Sequence, residues 1–108
     1  MTTLTLTTWN LQNLFKLKAG ATAAEKKAHD DKLDFIAATI EMLDPDVLGV
    51  QEVGKDGAVA ELQTRLKKLG SAYPHVHFGT PDDRGIACAI LSKEKFTATG
   101  EILQLPAE

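Results

Sequence analysis

The sequence has one cysteine, Cys88, so no internal disulfide can form and no cysteine-rich zinc site can be built. That fits a reducing compartment. No apolar run approaches the ~20 residues of a membrane-spanning helix. The opening Met1-Thr2-Thr3-Leu4-Thr5-Leu6 alternates polar and apolar residues and lacks the basic start and continuous apolar stretch of a signal peptide. A cytoplasmic product without a membrane span is the expectation. Also missing are a fixed-period repeat, a low-complexity tract and a Pro/Gly/Ser linker, so the chain reads as one run of elements. There is no basic excess either. Twelve Lys+Arg stand against 15 Asp+Glu, a formal net charge of −3, which argues against tight nucleic-acid binding by bulk charge. Phosphate chemistry would need help from a cation.

What the chain does have is globular composition: 108 residues, 44% hydrophobic and 25% charged. This excludes collagen-like, mucin-like and wholly disordered chains, and a domain of this size buries well over half of its unfolded surface. Alternating Leu4, Leu6 and β-branched Thr5, Thr7 predict a strand over residues 3–9, followed by a turn-prone stretch Asn10–Phe15. Thr22-Ala23-Ala24-Glu25 has capping-box spacing and predicts a helix with Leu33, Ile36, Ile40 and Leu43 on its apolar face, stopped at Asp44-Pro45. Val47–Val50 reads as a strand covered on both faces and ending on Gln51-Glu52. Ala58–Leu69 repeats the helical spacing through Val59, Leu62, Leu66 and Leu69, with Gly70 after its end.

Three further strands are expected at Tyr73–Phe78, Ile86–Leu91 and Phe96–Leu103, the last two forming an antiparallel hairpin through Ser92–Lys95. The order β-α-β-α-β-β-β predicts an α/β fold: a mixed β-sheet with helices on one face. The other face of that sheet has nothing in the sequence to cover it.

The first strand and Val47–Val50 flank one helical crossover, so they should run parallel with their carboxyl ends on one edge, where open α/β sheets bind ligands. That edge brings Asn10 and Glu52 together. An amide and a carboxylate suit a hard cation such as Mg²⁺ together with a phosphate oxygen. The plainer alternative is an Asn that ends a strand and a solvated Glu. Arg84, before Gly85, is either a forked phosphate contact or a residue that solvates the turn after Asp82-Asp83. His75 and His77 share one strand face and could clamp a metal, although two ligands make an incomplete site. His29, beside Asp30 and Asp31, reads as part of a solvated helix face. Cys88 reads as a buried, inert core thiol, and Trp9 as core or helix-packing surface rather than a stacking platform.

Thr8-Trp9-Asn10-Leu11-Gln12-Asn13-Leu14, then Asp46-Val47-Leu48-Gly49-Val50-Gln51-Glu52-Val53, then Arg84-Gly85-Ile86-Ala87 followed by Ala89-Ile90-Leu91-Ser92 resemble, in that order, the opening motifs of the endonuclease/exonuclease/phosphatase family, which has the deoxyribonuclease I-like fold. The resemblance implies that residues 1–108 are the amino-terminal half of such a domain and half of a four-layered αββα sandwich. It implies Glu52 as metal-binding carboxylate, Asn10 as the active-site amide beside it and a second metal contact, Gln51 as their buttress, and Mg²⁺ or Mn²⁺ as cofactor.

Substrates would be phosphate esters, nucleic acid among them, with Arg84 on the substrate. The resemblance also implies an Asp-x-Asn pair and a late Asp-His pair, and the 108 residues contain neither. Where the family often has a basic or polar residue two positions after the Glu, Gly54 stands here, with Lys55 next. The chain alone is therefore expected to be nearly inactive. The alternative is a non-catalytic module that binds a partner, or a second copy in a two-fold dimer, through the uncovered sheet face.

Overall fold

The structure, a computed structural model, describes residues 3–100. It contains β1 (Leu6–Leu14), α1 (Ala23–Leu43), β2 (Val47–Gly54), α2 (Ala58–Lys68), β3 (His75–Phe78) and β4 (Ile86–Ser92). The four strands form one sheet in the order β1-β2-β4-β3, with β1 parallel to β2 and both other pairs antiparallel. This is the mixed α/β sheet that the element order predicts.

α1 begins where its capping box stands. Glu25 N–H donates to Thr22 Oγ1 and Thr22 N–H to Glu25 Oε1, both at 3.1 Å, an arrangement worth about 1 kcal/mol. It ends at Asp44, which turns left-handed at φ 47° while its N–H donates to Ile40 O; Pro45 prevents continuation. Leu33, Ile36, Ala37 and Ile40 of α1 and Val59, Leu62 and Leu66 of α2 share one core with Leu48, Val50 and Val53 of β2 and Ala89 and Leu91 of β4. Both helices therefore lie on the same face of the sheet. Leu43 and Leu69, at the helix ends, stay half exposed beyond the reach of this core. Tyr73 precedes β3 and is buried, its hydroxyl donating to Pro45 O at 2.5 Å.

Four expectations change, the first being that β1 runs on to Leu14 through the stretch expected to turn. Residues 96–100 form no strand, and 101–103 lie outside the described residues. β4 already pairs with β2 on one edge and β3 on the other, so no edge is left for a hairpin partner. The antiparallel hairpin is instead β3–β4. Val47–Val50 is covered on one face only: Leu48 and Val50 are fully buried, whereas Val47 and Gly49 are half-buried on the opposite side. Cys88 is exposed, because β4 alternates Ala87, Ala89 and Leu91 inward with Cys88 and Ile90 outward, onto the face that no helix among the described residues covers.

Candidate active site

β1 and β2 run parallel, and β3 is parallel to both through β4. The carboxyl ends of β1, β2 and β3 and the loop from Gly79 to Gly85 therefore share one edge of the sheet. Asn10 stands opposite Gln51 in the β1–β2 register. Just beyond this pair both strands lose regular alternation. Three residues of β1, Leu11 to Asn13, face the single Glu52 between the matched pairs Asn10–Gln51 and Leu14–Val53. On the other side of β2, Gln51 and Glu52 together face Cys88.

The backbone shows how this is done: Gln12 at φ 53°, Asn13 at φ 59° and Glu52 at φ 58° all adopt the left-handed conformation that side-chain-bearing residues rarely take. Each such residue costs of order 1 kcal/mol, and such residues gather at functional sites. The bulge leaves both Gln51 and Glu52 half-buried in succession while Leu48, Val50 and Val53 keep the core side.

The bulge sets up the central contact. Asn10 Nδ2 donates to Glu52 Oε2. Asn10 Oδ1 accepts the Gln12 N–H at 2.8 Å, which fixes the amide orientation, since the backbone donor needs an oxygen and only the nitrogen remains for the carboxylate. Glu52 Oε1 has no hydrogen bond among the described residues. Gln51, opposite Asn10 in the register, donates from Nε2 to Thr8 Oγ1 at 2.8 Å and so braces β1 two residues before Asn10.

Arg84 lies in the loop on the same edge. Its guanidinium reaches Asp82 Oδ2 through Nη2 at 2.7 Å and Nε at 3.1 Å. Asp82 Oδ1 also accepts the N–H groups of Arg84 and Ile86. The Ile86 N–H, followed by the Arg84 side chain, holds the Asp82 carboxyl below its ordinary range. Gly85 O accepts the Lys55 N–H at 3.2 Å, fastening this loop to the one after Glu52. The structure thus brings Arg84 to the edge that carries Asn10 and Glu52, with its charge directed at Asp82.

The histidines stand apart. His75 and His77 lie on β3, which β4 separates from β2, and no three His, Cys, Asp or Glu side chains among the described residues form a group able to hold a metal ion. His29 is not solvated. Its side chain is 12% exposed and its Nε2 is 3.4 Å from Glu61 Oε2, because positions 29, 33, 36 and 40 fall on one stripe of α1 and α2 packs across it. Trp9 lies on the helix side, packed against the core and edge-on to Phe35 at 6.3 Å.

Two supporting residues escaped the sequence reading. Lys32, on α1, donates from Nζ to Gln12 O at 2.7 Å and so holds the left-handed stretch after Asn10. Asp56 accepts Lys16 N–H at 3.0 Å and Ala58 N–H at 3.2 Å, joining the loop after β1 to the start of α2. Asp56 had a legible signal, an Asp two residues ahead of a helix start; Lys32 had none.

The pair at this edge can offer one anionic oxygen, steered by an amide donor, to whatever binds there. The family model described as Endonuclease/Exonuclease/phosphatase family matches residues 7–103, nearly the whole chain. No curated protein and no solved structure matches at a significant level.

Proposed function

The chain belongs to the endonuclease/exonuclease/phosphatase family, and from that premise we propose that it supplies the Asn10–Glu52 part of a divalent-cation-dependent phosphoesterase site acting on phosphodiesters, nucleic acid foremost. Phosphoester hydrolysis is the reaction class that the family carries. The observation that supports this reading is the contact between Asn10 and Glu52 on an edge made by two coincident irregularities of β1 and β2.

The donor set fits a hard cation. Mg²⁺ or Mn²⁺ takes oxygen ligands, and Mg²⁺ is commonly held by one or two carboxylates with waters and substrate phosphate completing the shell. Glu52 offers such an oxygen, and Asn10 Oδ1, although it accepts the Gln12 N–H, keeps a second lone pair. A divalent ion bound there would supply electrostatic stabilisation of the charge that develops on the phosphate oxygens. Asn10 fixes the direction of the Glu52 carboxylate, and Gln51 with Thr8 fixes the strand that carries Asn10. Arg84 meets a substrate phosphate only by exchanging Asp82 for it.

The sequence holds no Asp-x-Asn or Asp-His pair. In this reading the chain is the amino-terminal half of its domain. With Mg²⁺ and either plasmid DNA or bis(4-nitrophenyl) phosphate, it should turn over little or nothing. Turnover well above buffer that disappears in Glu52→Ala would show a complete site and contradict the half-site reading. Turnover indifferent to Glu52→Ala would remove Glu52 from the reaction.

A second reading rests on the uncovered sheet face, where Leu6 is 69% and Ile90 43% exposed. Here the chain is a non-catalytic module that pairs with a second copy through that face. Sedimentation equilibrium at high concentration decides it: a strict monomer contradicts this reading.

A further inference from the structure

We propose that the open edge of β3 is a docking site for an extended peptide of a partner protein, one that carries an aliphatic side chain between two carboxylates at alternate positions. The proposal goes beyond the phosphoesterase reading and does not depend on it.

The strand ladder decides which backbone groups are free. Gly79 N–H donates to Cys88 O at 2.9 Å, and these two residues continue the β3–β4 register of His75 with Ser92 and His77 with Ile90. Bonded and non-bonded pairs alternate in an antiparallel ladder, so His75 and His77 bond β4 while Val76 and Phe78 turn their N–H and C=O groups to the other side. That side is open, because β3 ends the sheet and pairs with β4 alone among the described residues. A row of unpaired main-chain donors and acceptors is matched by another strand.

The helix side of that edge supplies the selection. Val59, Leu62 and Leu66 of α2 go to the core, and Glu61 and Arg65 meet His29, Asp30 and Asp34 of α1. Ala60, Thr64 and Lys67 are left on the opposite flank, where they line a cavity of about 340 Å³ with Ala72 and Pro74, just ahead of β3. Gln63 Nε2 donates to Tyr73 O at 2.7 Å and fastens this wall before any ligand arrives, which lowers the ordering cost of binding. Val76 and Phe78 pack against the core and so face the helix side. Residues directly opposite each other share a sheet face, so peptide side chains opposite Pro74, Val76 and Phe78 would all point to the α2 side. The small apolar surface of Ala60, Ala72 and Pro74 leaves room there for an aliphatic group. Lys67 stands at the start of the edge and Lys55 at its end, its Nζ 5.9 Å from the centre of the Phe78 ring. Both lysines are exposed and form no ion pair among the described residues, and each suits a carboxylate on the incoming strand.

The test is an NMR titration of the ¹⁵N-labelled full chain with the blocked peptide acetyl-Glu-Thr-Val-Thr-Glu-amide, whose central valine would stand opposite Val76 in an antiparallel pairing. The backbone amide signals of Val76 and Phe78 should move downfield more than those of His75 and His77, whose N–H groups already bond β4. Lys55→Gln/Lys67→Gln should weaken binding about fivefold, the loss of two exposed ion pairs. Lys26→Gln/Lys68→Gln removes the same charge from other helix faces and should change affinity less than about twofold. The same peptide N-methylated at its valine lacks the donor for Val76 O and should not bind.

Equal binding of the N-methylated peptide overturns the strand pairing, and equal weakening by both pairs of lysine substitutions overturns the charge match. Signals that stay in place with the peptide in millimolar excess, or shifts confined to β1 or to Cys88 and Ile90 on the uncovered face, overturn the site. Val76 and Phe78 signals that move with protein concentration in the absence of peptide would give the edge to a second copy of the chain and overturn the partner peptide.

Discussion

Asn10 donates its side-chain N–H to Glu52 while its own Oδ1 accepts the Gln12 N–H at 2.8 Å, so the amide meets the carboxylate as a donor. Asn10→Asp keeps the acceptor for Gln12 and replaces that donor by a second carboxylate. Without divalent cation the variant should lose about 1 kcal/mol, as a hydrogen bond is exchanged for like-charge contact. Mg²⁺ should then raise its melting temperature more than that of the unaltered chain. Melting curves with EDTA and with Mg²⁺ check this; a variant as stable as the original in EDTA, or indifferent to Mg²⁺, contradicts the arrangement.

Tyr73 is the only tyrosine in the sequence, so absorbance near 295 nm follows its ionisation alone. Burial, and then the charges of Asp44 and Asp46, push its hydroxyl up from 10.0 to about 12. The folded state therefore holds the proton more tightly than the unfolded state. The stability this contributes is complete below pH 10 and is lost as pH rises from 10 towards 12. Tyr73→Phe should remove that alkaline loss and cost about 1–2 kcal/mol at neutral pH by leaving Pro45 O without its donor. A titration midpoint near 10 in the folded protein would refute the buried hydroxyl.

Cys88 is also unique, and it lies on the uncovered face of the sheet. In the native chain it should react with a disulfide reagent such as DTNB at a rate close to that of the unfolded chain, because access rather than unfolding governs exchange. Protection of more than about tenfold, lost on dilution, would show that a second copy covers this face, as the module reading requires.

The sequence resolves some of this structure well and some of it not at all, for physical reasons. The capping box at Thr22 and Glu25 and the spacing of Leu33, Ile36 and Ile40 act locally, so α1 starts and faces as its residues dictate. The meeting of Asn10 and Glu52 follows from one rule, that a helical crossover makes its two strands parallel. The left-handed turns at Gln12, Asn13 and Glu52 carry no glycine to announce them; they are imposed by pairing between strands. Cys88 and His29 depart from expectation for one reason, that an apolar run or a helical register does not say which face a partner element covers.

The central claim is that Glu52, steered by Asn10, holds a divalent cation at the shared end of β1 and β2. Substoichiometric Mn²⁺ added to the ¹⁵N-labelled chain tests it most directly, since the paramagnetic ion broadens only the signals near it. The account predicts selective broadening of the Asn10 side-chain amide and of the backbone amides of Gln12 and Val53, abolished by Glu52→Ala. Broadening centred on His75 and His77, or broadening at Asn10 that persists in Glu52→Ala, would contradict it.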